Sequence, residues 1–316
     1  MVNGIWGVNQ FKVQVYILSR DRPHLFEETL RSVIEASNSE VDVVVSDNSV
    51  GDSIEEIVKA SYPAIRYTRR TPPLDAFSHF NAILQEASTE YLVMFHDDDR
   101  MMPNYVPIML GFMEANPGVV AAACNARILF RDEESERTFM PKVDGFRLIE
   151  GIEDFFECYL RIGIGGGSIA PFPGYMYRRS MLQGIVLNSK EAGKYSDVSF
   201  LSKLLVKGPL LWVYKPLMWY RFHDQNDSGT VSIAGTLGLL RYILETSQIS
   251  RQSLSVHDYR FKMWADWWLG RFKKQGFGVF GQRVERIVFR FLAGSVVRLA
   301  FTRFTFWKLL FRKLFA

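Results

Sequence analysis

Apolar and polar positions along the first hundred residues fall into blocks that switch between two periods. Tyr91–Phe95 is five apolar or aromatic residues without a charge, the pattern of a strand buried on both faces. Lys12–Ser19 and Val41–Ser46 read the same way, and Ile65–Thr68 is a shorter third strand. Between them apolar residues recur at helical spacing. Leu25–Ser37 puts Leu30, Val33 and Ile34 on one face, and Ser53–Ala60 and Phe77–Ala87 follow the same rule. Pro23 suits the first turn of the first helix. Strand and helix alternating in this way imply an α/β fold with a mostly parallel sheet and right-handed crossovers.

The pattern loosens further on. It predicts a helix over Pro103–Asn116 and two strands, Val119–Ala123 and Ala126–Phe130. Asp132–Glu136 reads as a charged hairpin tip or surface loop. Gly163–Gly174 is rich in Gly and Pro and too irregular for an element. Strand character returns at Gly174–Arg178 and Leu210–Tyr220. Between them Val198–Val206 is a helix with Ser196-Asp197 as its N-cap. Ile233–Gln275 reads as two or three helices.

The run Tyr91–Phe95 ends in His96-Asp97-Asp98-Asp99. Three adjacent carboxylates would repel one another inside a core, so they belong at the open end of the strand. Ligands of open α/β sheets bind just beyond the carboxyl ends of strands. A divalent cation would relieve the repulsion, and Mg²⁺ or Mn²⁺ prefers carboxylate oxygen together with substrate phosphate. The bland alternative is a solvated acidic turn.

Composition adds bounds. The chain has 316 residues, nearly half of them hydrophobic and 23% charged, enough for one large domain with an appendage and unlike a disordered chain. Cys124 and Cys158 form no CxxC pair and predict reduced core thiols in a cytoplasmic protein. Met1–Lys12 has no long apolar stretch, which predicts no secretory leader. The net charge of +4 hides an asymmetry: residues 1–232 sum to −7 and residues 233–316 to +11. That divides the chain into a domain over 1–232 and a C-terminal helical region over 233–316 with different partners. GxGxxG and GxxxxGK[ST] are both absent, which argues against a dinucleotide fingerprint and a P-loop.

Six stretches, in order, resemble family-2 glycosyltransferases of the A-type (GT-A) fold, over roughly residues 12–225. Ile17-Leu18-Ser19-Arg20-Asp21-Arg22-Pro23 is similar to the opening I-P-T-Y-N-R-P. Val44-Val45-Ser46-Asp47-Asn48-Ser49 is similar to V-V-D-D-G-S. Asp75–Ala87 resembles the helix with a central Asn, here Asn81. Phe95–Asp99 resembles the DXD motif. Ser196-Asp197, with Phe200, Lys203, Leu204 and Gly208, resembles E-D-x-x-L-x-x-R-L-x-x-x-G. Tyr220-Arg221-Phe222-His223 resembles a closing Y-R-x-H. Leu18 replaces the usual Pro, and Ser196 stands where the family has Glu, a change that touches the acceptor pocket. No Q-x-x-R-W of processive synthases is present, which predicts addition of one sugar.

The resemblance implies an inverting transfer of a sugar from a nucleotide diphosphate, dependent on Mn²⁺ or Mg²⁺. It implies Asp99 as metal ligand and Asp97 on the ribose hydroxyls, with Asp98 supporting them. His223 reaches the diphosphate or the metal, or else is a surface or helix-capping residue. Asp197 is the general base, or a helix cap, or both. Asp47 accepts from a base N–H such as uracil N3, which favours a UDP- or dTDP-sugar; otherwise it is a turn residue. Ser19 and Arg20 face the nucleotide. Arg69 or Arg70 pairs with base or phosphates, unless the two are solvated. Tyr175 and the Gly163–Gly174 loop line the acceptor side, unless Tyr175 is core and the loop a plain linker.

Residues 279–316 carry eight Lys/Arg and one acid amid Phe, Leu and Val. Six of the cations fall within about a third of a helical wheel. No uncharged run approaches the roughly 18 residues needed to cross a bilayer. The tail reads as an interfacial helix on anionic headgroups, or as a hairpin packed on protein. The expectation is a peripheral enzyme on the inner face of the plasma membrane, with a saccharide or lipid-linked acceptor in bacterial surface-polysaccharide synthesis. Nucleic acid is not expected as a partner, since no recognition motif is visible. The alternative of another class is a catalytically silent nucleotide-sugar-binding scaffold. A nucleotidyltransferase is a third option, against which stands the absence of glycine in Ser19–Pro23.

Overall fold

The structure, a computed structural model, describes residues 11–130, 133–162, 168–223 and 233–275. The basic tail 279–316 lies outside the described residues, as do 163–167 of the Gly-rich stretch. The chain divides into two compact units. The first comprises Met1–Gly151, Ala170–Lys190 and Ser196–Gly229, and the second Ile152–Ile169, Glu191–Tyr195 and Thr230–Ala316.

The first unit is built on one mixed sheet. Its opening half follows the alternation read from the sequence: β1 (Val13–Ser19), α1 (Pro23–Ala36), β2 (Val41–Asp47), α2 (Ser53–Ser61), β3 (Arg66–Arg69), α3 (Ala76–Glu86) and β4 (Tyr91–His96). β1, β2 and β4 are buried along nearly their whole length, which explains their near-continuous apolar sequence. After β4 come β5 (Arg100–Met101), α4 (Tyr105–Ala115), β6 (Ala121–Phe130), β7 (Glu133–Thr138) and β8 (Phe146–Ile149). β9 (Tyr175–Arg178), the one-turn α6 (Ser189–Ala192), α7 (Ser196–Leu205) and β10 (Leu210–Phe222) follow in sequence. The strand order is β3-β2-β1-β4-β9-β6-β10-β5, with β7 on β6 and β8 on β10. β3, β2, β1 and β4 pair in parallel, as do β6 and β10, while β9 runs against β4 and β6. One face buries α1, α2 and α4 in a core that includes Val15, Ile17, Phe26, Leu30, Val93 and Phe95.

Three predicted details change. Val119–Phe130 holds one strand and not two. The polar Asn125 reads as a break, but its amide bonds the backbones of Met140 and Tyr214, so the strand continues through it. The acids after Asp132 are not a hairpin tip: Glu133–Thr138 is an edge strand antiparallel to β6, where outward charges suit an exposed edge. Helix α7 starts at Ser196, which places Asp197 in its first turn.

β10 carries the feature that shapes the site. Its register against β6 slips between Val213 and Pro216 and again between Pro216 and Met218. Extra residues in one strand bend it and increase its twist. Beyond the bulges Met218 and Trp219 pair with β5, the two residues that follow the acidic run. The end of β10 is thereby delivered to the end of β4.

In the second unit α5 (Ile152–Leu160), α8 (Ile233–Thr246) and α9 (Leu254–Gln275) are joined by polar contacts and ring packing. Ser255 Oγ donates to Glu157 (2.7 Å), Gln248 N to Glu153 (3.1 Å), and Phe156 meets Tyr242 edge-on. Among the described residues no helix is long and apolar enough to cross a membrane.

Candidate active site

The parallel ladder places the ends of β1, β2, β3 and β4 side by side. Ser19 is level with Asp47, and Asp47 with Arg69. The acidic run begins where β4 stops. It is not a solvated turn: Asp97, Asp98 and Asp99 are 0%, 6% and 1% exposed. Burying three carboxylates is costly unless they are paired and hydrogen-bonded.

Each acid has its own partners. Asp97 Oδ2 accepts from Ser19 Oγ (3.0 Å) and from the Arg20 backbone N–H (2.8 Å), and its Oδ1 pairs with Arg22. Asp98 Oδ2 takes Arg22 Nη1 (2.6 Å) and lies 3.1 Å from His223 Nε2. Asp99 Oδ1 accepts the backbone N–H of Arg221 (2.9 Å). The loop's backbone is pinned as well. Thr29 Oγ1 on α1 donates to the Asp99 carbonyl (2.7 Å), and Arg221 Nε donates to the Asp98 carbonyl (2.8 Å). The Arg221 guanidinium is itself held by Glu28.

The three acids differ in proton affinity. Burial, opposed by Arg22, leaves the Asp97 carboxyl raised to about 6. Burial would raise Asp98 too, but His96, Arg22 and His223 hold it below the ordinary range. Asp99 is pushed well above that range by burial and by the neighbouring Asp98. The site thus contains a carboxyl with too little positive charge beside it. Among the described residues Asp98 Oδ1 and Asp99 Oδ2 are buried without a hydrogen-bond partner, and such orphans mark an ion, a water or a catalytic role. His96, Asp98 and Asp99 can each offer one ligand atom within 4.8 Å of the others. An oxygen-rich set with one imidazole fits Mn²⁺ or Mg²⁺.

Asp47 is buried at the end of β2, where Oδ1 accepts the Ser49 N–H (2.9 Å) and Oδ2 the Tyr67 hydroxyl (2.6 Å). Arg20 contributes its backbone, while its side chain is exposed. Asp21 between the arginines has φ +51, a left-handed conformation that Asp tolerates. Its carboxylate accepts the Val50 N–H (2.9 Å), tying the loops after β1 and β2 together.

Ring contacts link Phe200, one turn after Asp197 on α7, to His96 at the end of β4. His96 meets Phe80 and Phe172, Phe172 meets Phe200 on α7, and Phe200 meets Tyr177. Asp197 lies one turn before Phe200 and is half-buried. Burial raises its carboxyl to about 6, although the Val198 N–H bonds it.

The structure brings Ser19, Arg20, Asp97, Asp98, Asp99 and His223 together and sets Asp47 on the adjacent strand end. Four other residues, Asn81, Arg69, Arg70 and Tyr175, have their side chains engaged elsewhere. Asn81 exchanges two 2.9 Å bonds with the backbone of Leu187. Arg69 is taken by Asp52, Glu55 and the carbonyls of Val50 and Gly51. Arg70 turns inward to Ser46 and Glu86. Tyr175 is a core residue whose hydroxyl accepts from Trp212 Nε1 (2.7 Å). Sequence reasoning missed Arg22 and the ligand capacity of His96. Both stood inside the motifs, and an arginine before a helix-opening proline reads as a solvated turn.

The chain matches the family model for glycosyl transferase family 2 over residues 15–185, more than half its length. No match is found among curated proteins. Among solved structures, S. aureus TarS 1-349 superposes with a TM-score of 0.57 at 14% identity, over 91% of this chain and 80% of that one. Its complex with UDP-GlcNAc gives 0.58 at 12% identity, over 91% and 81%. The mannosyltransferase PcManGT of Pyrobaculum calidifontis, in complex with GDP-Man and Mn²⁺, gives 0.50 at 14% identity, over 90% and 80%. At these identities the likeness is one of fold. With the family model covering most of the sheet, from within β1 to β9, and the acidic loop, the chain belongs to glycosyl transferase family 2 and is a glycosyltransferase of the GT-A fold.

Proposed function

We propose that this enzyme transfers one sugar, with inversion, from a nucleotide diphosphate sugar to a saccharide or lipid-linked acceptor, using Mn²⁺ or Mg²⁺. The observation that carries the reading is the pair of orphaned buried oxygens on Asp98 and Asp99 beside His96. A divalent cation held by His96, Asp98 and Asp99, with His223 against Asp98, would supply Lewis-acid neutralisation of the leaving diphosphate. The solved neighbours with UDP-GlcNAc and with GDP-Man and Mn²⁺ support a nucleotide sugar and a metal.

The chain's own residues have these roles. Asp97, oriented by Ser19 and the Arg20 amide, accepts the ribose hydroxyls. Asp47, oriented by Tyr67 and Ser49, accepts a base N–H, which favours uridine or thymidine. Arg69 and Asn81 act at a distance, by holding the loop after β2 and the 187 segment. Asp197 takes the proton of the acceptor hydroxyl as its oxygen bonds to the anomeric carbon. The bond from that carbon to the diphosphate breaks on the opposite face, so the configuration inverts. A carboxyl near 6 suits a base working at neutral pH.

The basic tail, residues 279–316, supports a peripheral location on the inner face of the plasma membrane. There the enzyme would meet a lipid-linked acceptor in bacterial surface-polysaccharide assembly. Donor hydrolysis followed with Mn²⁺ and with EDTA tests the reaction. Slow release of nucleoside diphosphate only with Mn²⁺ is expected, and a donor left intact under both conditions contradicts it.

A further inference from the structure

Arg22 already supplies positive charge at the acidic loop. One nitrogen of its guanidinium pairs with Asp97 Oδ1, and the other lies 2.6 Å from Asp98 Oδ2. That second nitrogen is also 3.5 Å from His223 Nε2. The backbone is fixed, because the Arg22 carbonyl accepts the Phe26 N–H (2.9 Å) as α1 begins. The side chain is 24% exposed, so the guanidinium has a path to solvent. Asp98 is therefore shared. Oδ2 is held by a cation of the chain, while Oδ1 is buried without a partner among the described residues, beside Asp99 and His96.

We propose that Arg22 is a resident counter-cation that competes with the divalent cation for Asp98, and that a nucleoside diphosphate relieves the competition by drawing the guanidinium onto its phosphate oxygens. The inference rests on the nucleotide-sugar reading above. Three buried carboxylates need positive charge when no ligand is present, and Arg22 provides it. A guanidinium and a divalent ion on one carboxylate repel each other, strongly so out of water. The arginine fork fits phosphate as well as it fits carboxylate. Arg22 thus adds to the coupling between nucleotide and cation, and that coupling is equal in both directions.

The test is equilibrium binding to the full chain, wild type, Arg22→Gln and Arg22→Lys, each checked for cooperative thermal unfolding. Mn²⁺ is titrated with free ion read by electron paramagnetic resonance, and UDP, dTDP and GDP are titrated by calorimetry. Without nucleotide, Arg22→Gln is expected to bind Mn²⁺ about tenfold more tightly than wild type. In EDTA the same variant is expected to bind the nucleoside diphosphate about tenfold more weakly. Arg22→Lys keeps the charge without the fork and falls between, and it carries the comparison if the glutamine variant does not fold. A merely structural ion pair would move both affinities in one direction. Mn²⁺ affinity unchanged or weakened in both variants, with wild type still binding a nucleoside diphosphate, overturns this inference alone. A wild-type chain that binds none of the three nucleotides, with or without Mn²⁺, overturns the underlying reading and this inference with it.

Discussion

His223 Nε2 lies 3.1 Å from Asp98 Oδ2, joining the first residue after β10 to the acidic loop after β4. The contact exists because β10 is bulged around Pro216 and its end pairs with β5. His223→Ala leaves the ladder intact and removes one partner of Asp98. Residues that orient metal ligands in this way are worth about 10–100-fold. A loss of that size is expected in kcat/KM for the donor, with a matching rise in the Mn²⁺ concentration needed for half-maximal rate. Unchanged Mn²⁺ dependence would detach His223 from the site.

Asp197 should act only as carboxylate. Its carboxyl is raised to about 6, so kcat/KM should fall about tenfold per pH unit below that value. Asp197→Asn should lower transfer by about 10²–10⁴-fold and leave donor binding in place. Near-wild-type turnover in that variant would remove the assignment.

The same residue carries a stability signature of opposite sign. Folding raises its proton affinity above the ordinary 3.8. The carboxylate therefore weakens the fold above pH about 6 and costs nothing below about pH 4. Asp197→Asn should raise the urea midpoint at pH 8, and the gap to wild type should close as pH falls to 4. A variant equally destabilised at both pH values would mean that the carboxylate contributes to folding.

Gly208 precedes β10 where the backbone passes close to the chain after α4. A Cβ there would meet Val120 Cγ1 at 2.8 Å and the Gly118 carbonyl at 2.9 Å. Gly208→Ala should cost about 1–3 kcal/mol, read as a lower denaturant midpoint with unchanged slope.

The first half of the sheet was legible because β1, β2 and β4 are buried on both faces and write themselves as apolar runs. The edges were not. β5 is two residues long, and β7 is six polar residues, Glu-Glu-Ser-Glu-Arg-Thr, whose strand character comes from pairing with β6. The acidic loop stood out as a candidate site because three carboxylates in a row demand an explanation. Arg22 was not, because its role depends on Asp97 and Asp98, 75 and 76 residues away. Asn81 and Arg69 carry the same lesson in reverse: residues at motif positions whose side chains are satisfied by Leu187 and by the acids around α2.

The tail is tested by flotation with anionic vesicles, comparing the full chain with one lacking residues 279–316. The full chain should float and the shortened one stay at the bottom, and equal flotation would refute a membrane role for that segment.

The central claim is that the Asp98–Asp99 loop holds a divalent cation against a nucleotide diphosphate. Thermal shift against a panel of nucleotide sugars, with Mn²⁺ and with EDTA, in wild type and Asp99→Asn, tests it most directly. At least one nucleotide sugar should raise the melting temperature of wild type with Mn²⁺, and EDTA or Asp99→Asn should make that rise markedly smaller. A rise of equal size in EDTA, or in the variant, would contradict it.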